Sequence, residues 1–182
     1  MNSVEPWLRL FVNTSCYFRH LLMLPWWNEY TDHQINIWDS LSVFLGGYAF
    51  ERQGRSPDYC YVAVDALNKY KTNSNPTART ISDVWSEFGV LMSNKNMNVD
   101  RNPLYQNAKG IKISLIEFAL SNLCQSNISL TAYLSDSIKA KNDIAPAFDS
   151  LKTIRGIGDK IASLFMRDLV DIMSINLNNV NM

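Results

Sequence analysis

The sequence predicts an all-α protein: a two-lobed helical bundle that ends in a helical hairpin near the C-terminus. Three observations lead there. Apolar residues recur at three- and four-residue spacing in segment after segment. Alternation with a period of two, which marks a half-buried strand, is scarce. Capping residues and Gly or Pro breakers fall between the periodic segments at helix-like intervals. At 182 residues, 47% apolar and 19% charged, the chain has a globular composition and enough length for a real core.

Each element has its own justification. Glu5 to Leu24 is amphipathic, and Pro25 with Trp26-Trp27 ends it. Thr31 and Gln34 fit a capping box. The helix it opens carries Ile37, Trp38, Leu41, Phe44 and Leu45 and should stop at Gly46-Gly47. Ser56-Pro57 starts the next, with Val62, Ala63, Ala66, Leu67 and Tyr70 as its apolar face. Lys71 to Ala78 is a polar loop holding Pro76. A cap between Thr80 and Asp83 leads into a helix with Val84, Trp85, Phe88, Val90 and Leu91 inward.

Ser93 to Pro103 is rich in Asn and is the best lobe boundary, giving lobes of 1–97 and 98–174 and a tail of 175–182. Ile111 to Cys124 should be the most buried helix, and Leu130 to Ala140 another. Asn142-Asp143 then opens a helix that tolerates Pro146 in its first turn. The Asn-rich tail after Ser174 should fray.

Composition removes several function classes. The formal net charge is +0, which argues against coating nucleic acid broadly but leaves room for a local basic patch. Cys16, Cys60 and Cys124 are far apart, with no Cys-x-x-Cys pair. His20 and His33 are the only histidines, so neither a zinc site nor any other metal or cofactor is expected. Unpaired thiols suit a reducing, cytoplasmic setting, nucleoid-associated if the cell is prokaryotic. Glu5, Arg9 and Arg19 make the N-terminal apolar stretch a poor signal peptide, and no run approaches a membrane span.

The most informative segment is Leu151 to Phe165, read as helix, tight Gly156-Ile157-Gly158 turn, second helix. Leu151 and Ile154 are spaced to face a core, and Ala162, Phe165 and Met166 begin an apolar stripe. Two glycines let another backbone approach closely, and the N–H groups that open a helix suit a phosphate oxygen. Lys152, Arg155, Lys160 and Arg167 add positive charge, and only Asp159 opposes them between Leu151 and Arg167. The plain alternative is a helix corner whose glycines merely allow packing.

This segment resembles the helix-hairpin-helix DNA-binding motif. Over Asp143 to Asp171 the closest likeness is to the base-excision DNA glycosylases of the helix-hairpin-helix superfamily, which are all-α, two-lobed enzymes of DNA repair. The resemblance implies duplex DNA as partner, with Lys152, Arg155, Gly156, Ile157, Gly158, Asp159 and Lys160 at the DNA. Lyase-type members carry a lysine two residues after the second hairpin glycine, where this chain has Lys160. By resemblance Lys160 would attack C1′ of a flipped-out nucleotide bearing a damaged or modified base and form a Schiff base.

The family also places an aspartate roughly twenty residues beyond that lysine. Here that stretch, Ile175 to Val180, holds no acid. The carboxylate would then come from elsewhere in the chain, with Asp65 and Asp143 as candidates, from a longer parent protein or from a protein partner. Otherwise the chain is a non-catalytic DNA-binding or protein-interaction module that keeps the fold. Arg52, Gln53 and Arg55, with Trp27, could line a base pocket; the alternative is a solvated turn and a core tryptophan.

Overall fold

A computed structural model describes residues 37–49, 58–70, 77–97, 104 and 112–177, all within the compact unit His33–Met182. The described residues are all-α. Seven α-helices follow one another: α1 Ile37–Phe44, α2 Asp58–Asn68, α3 Ala78–Asn94, α4 Leu115–Asn122, α5 Leu130–Lys141, α6 Ala145–Lys152 and α7 Asp159–Ile172. Among these residues the single extended pairing is an isolated parallel bridge between Ile113 and Ile154.

Helices from both sides of the boundary expected at 97/98 pack within this unit: α3 lies against α4 and α1 against α5. Of the connection expected at Ser93 to Pro103, Ser93 and Asn94 still belong to α3, and residues 98–103 lie outside the described set. So do the N-terminal helix, the Thr31–Gln34 cap and the Ser56-Pro57 helix start.

Local chemistry explains most boundaries. Ser114 caps α4: its Oγ accepts the Glu117 N–H at 3.1 Å, and the Glu117 carboxylate accepts the Ser114 N–H at 2.6 Å. That box makes α4 start at Leu115, not at Ile111 as expected, and leaves 112–114 extended. Ser129 caps α5 by accepting the Ala132 N–H at 3.1 Å. Asn142 ends α5 in the left-handed region, at φ 50°. Asp143 then accepts the Ala145 N–H at 2.9 Å and opens α6, with Pro146 in the first turn.

Two expected boundaries moved. The Gly46-Gly47 stop did not hold, because the chain runs on from α1 as a π-helical turn, Leu45–Ala49. That turn brings Tyr48 inward, and its ring meets Phe165 of α7 edge-on at 4.9 Å. The cap of α3 is Thr77, whose N–H donates to Thr80 Oγ1 at 2.8 Å, so the helix starts before the expected Thr80–Asp83 cap. On α3 the buried row is Val84, Phe88 and Met92, at four-residue spacing. Val90 falls on the opposite side and is 52% exposed, not inward as expected.

The core centres on α7. Ile161, Ala162, Phe165, Met166 and Leu169 are all buried along one face. Phe165 also meets Phe44 of α1 edge-on at 4.9 Å. One turn on, Asp168 is 2% exposed and accepts the Tyr48 hydroxyl at 2.9 Å. Its other oxygen takes the Arg167 guanidinium at 2.7 Å. Beyond the helix Ile175 is buried and its N–H donates to Val170 O at 3.0 Å, so the expected tail begins with an anchored residue, not a frayed one.

Candidate nucleic-acid interface

Residues 153–158 join α6 to α7 as a compact turn, and three apolar side chains seat it. Leu151, Ile154 and Ile157 are each 0% exposed. Pinning by burial on both sides leaves the backbone between them little freedom. Gly156 turns the chain at φ 79°, the left-handed region where a Cβ is strained. The Ile157 N–H closes the turn onto Ile154 O at 3.1 Å.

Gly158 is the N-cap of α7 and differs from Gly156. Its φ of −118° is ordinary extended backbone. A Cβ built there meets nothing within 4 Å. Neither conformation nor packing in this protein therefore calls for glycine at 158. The residue is exposed, and α7 begins with no side-chain cap. The first-turn N–H groups of a helix stand outside its own ladder, and the dipole gives them partial positive charge.

A short segment upstream clamps the turn. The Ile113 N–H donates to Thr153 O at 3.0 Å, and the Arg155 N–H donates to Ile113 O at 2.8 Å. Lys112 Nζ donates to Ile157 O at 2.7 Å. The Ser114–Glu117 box that starts α4 thus also holds the strand-like residues that grip the hairpin. The Ser-x-x-Glu signature at 114–117 was readable in the sequence; the pairing of Ile113 with Ile154 has no local signal.

The sequence-nominated charges have distinct fates. Lys152, last in α6, and Asp159, first in α7, form an ion pair of 2.7 Å across the turn. Lys152 also lies 5.1 Å from the centre of the Phe148 ring. Hydrogen bonding from Lys152 holds the Asp159 carboxyl below its ordinary range, and the charge of Lys112 adds to the effect. Asp159 in turn raises Lys152. Lys160 is exposed in the first turn of α7. Arg155 is half-buried, with its Nε buried. Arg167 turns back to Asp168.

The carboxylates sit elsewhere. Asp168 and Asp171 follow Lys160 by eight and eleven residues on the same helix, about 12 and 16 Å along the axis at roughly 1.5 Å per residue. Asp168 is committed to Tyr48 and Arg167. Asp143 accepts the Ala145 N–H at the start of α6, and Asp65 is exposed on α2. Arg52, Gln53, Arg55 and Trp27 lie outside the described residues. Among the described residues, no group of three or more His, Cys, Asp or Glu could hold a metal, and no helix is long and apolar enough to cross a membrane.

No family model matches the chain, and no solved structure matches it significantly. A protein of Methanocaldococcus jannaschii described as "Uncharacterized protein MJECL21" is 27% identical to it over 177 residues. That alignment takes in 97% of this chain but 37% of the other protein, so the chain spans little more than a third of its relative's length.

Proposed function

We propose that this protein binds duplex DNA through the turn between α6 and α7, as a helix-hairpin-helix protein. The observation that carries this reading is Gly158. A glycine in ordinary extended backbone, with open space where its Cβ would stand, keeps a helix N-terminus bare. A phosphate oxygen needs that bareness and the fold does not. Lys112, Lys152 and Lys160 around it supply the charge, and Asp159 is the acid among them. The test is a duplex titration followed by amide NMR. Binding should shift the amides of Gly156 to Ile161 most. Shifts confined to other helices would remove the hairpin from the interface.

A protein that binds duplex this way can act as a glycosylase, and Lys160 is the residue that would do the chemistry. It stands exposed two residues past Gly158. Its amine would attack C1′ as the C1′–N bond to the base breaks, and the base would leave with that bonding pair and take up a proton. Ring opening then leaves an imine between Lys160 and the sugar. The non-catalytic alternative is favoured by one observation: Asp168 is spent on Tyr48 and Arg167 inside the core. Borohydride separates the two. A lyase-type enzyme gives a trapped adduct on an oligonucleotide with the right lesion, and Lys160→Ala abolishes it. Failure to trap or to release base across a broad lesion panel leaves the binding module.

A further inference from the structure

We infer that Lys112 is a positioning residue of the hairpin whose ammonium also serves as a phosphate-directed charge; the inference rests on the duplex-binding reading above. Lys112 comes from a segment forty-five residues upstream of the carbonyl it holds. Its place is set from both ends. The backbone beside it is bonded to the hairpin on either side of Ile154, through Thr153 O and the Arg155 N–H. Its Nζ is fixed 2.7 Å from Ile157 O. That carbonyl belongs to the peptide unit whose N–H is Gly158, and Ile157 is fully buried. The charge is therefore held one peptide from the amides that open α7.

The lysine has a place in the unliganded fold, where it satisfies the Ile157 carbonyl and its charge faces Asp159. A cation next to a helix N-terminus is unfavourable, and Asp159 in that first turn, paired with Lys152, offsets part of that. Fixing a four-carbon side chain costs rotamer entropy. An anion at the turn adds a second favourable partner for the ammonium. An ammonium has three donors, and among the described residues Lys112 spends one, on Ile157 O; the residue is exposed. A helix terminus alone would not set α7 apart from the other helices, but a lysine bolted to the preceding carbonyl does.

The experiment is a salt series of duplex binding by fluorescence anisotropy on the wild type, Lys112→Met and Lys112→Arg, with melting curves for each. Lys112→Met should flatten the slope of log affinity against log salt by about 0.9, the value for one phosphate contact. Lys112→Arg should keep the wild-type slope. A purely structural lysine would lower the melting temperature of Lys112→Met and leave its slope unchanged, and that result overturns the inference. Should Lys112→Met not fold, acylation of the wild-type protein decides: saturating duplex should protect Lys112, and equal labelling of free and bound protein overturns it. Wild type that fails to bind duplex defeats the duplex-binding reading itself. Wild type that binds while Lys112→Met keeps its slope defeats only the role of Lys112.

Discussion

Gly156 and Gly158 are separated by one residue and are glycine for different reasons. At Gly156 the backbone requires it, because φ is 79°. Gly156→Ala should therefore destabilise the fold by about 1–2 kcal/mol, the cost of a Cβ in the left-handed region, measured by denaturant melts. Asp159 makes a second residue-scale prediction. Its carboxyl is held below the ordinary range by Lys152. A depressed carboxylate stabilises above its unfolded-state value and stops doing so as pH falls through its folded value. The tie across the turn is thus intact at neutral pH and lost only in acid. Protonation also removes the opposing charge and releases Lys152, so duplex affinity should rise as pH drops through that range. Asp159→Asn should bind more tightly than wild type at neutral pH, and the difference should close in acid. Equal affinities at neutral pH would mean that Asp159 does not oppose a phosphate.

At the scale of elements, α5 and α6 were legible because their signals are local: Asn142, Asp143 and Pro146 are punctuation next to the turns they make. The clamp on the hairpin was not legible, since Ile113 and Ile154 pair through space. Gly46-Gly47 misled for a related reason. Contact of Tyr48 with Phe165 and Asp168 carries the helix past two residues that usually end one. Tyr48→Phe should leave a buried carboxylate oxygen without this donor and cost about 1–3 kcal/mol, seen as a lowered melting temperature. Ser114→Ala should cost about 1 kcal/mol through the lost cap. It should also speed hydrogen exchange at the Arg155 amide, which bonds to Ile113 O, because Ser114, which caps α4, directly follows the residue that holds the turn. Unchanged exchange there would separate the cap from the clamp.

Across the whole molecule, a net charge of +0 coexists with a hairpin ringed by Lys112, Lys152 and Lys160. Binding through so small a patch should be weak and salt-sensitive in proportion to its few contacts. The helical character of the described residues was legible from periodicity, and so was the turn between α6 and α7 from its two glycines. The catalytic question was not, because a cleft is assembled from distant segments, and the nominated pocket residues at 27 and 52–55 lie outside the described set. The most direct test of the central claim is Gly158→Ser, measured for stability and for duplex affinity together. Serine is a better N-cap than glycine by a few tenths of a kcal/mol, and its Cβ has open space, so the fold should be as stable as wild type or slightly more so. The same hydroxyl occupies a first-turn amide and crowds the approach, so duplex affinity should fall by about tenfold or more, the loss of roughly one charge-assisted hydrogen bond. A variant that keeps its stability and binds duplex as well as wild type would contradict the account.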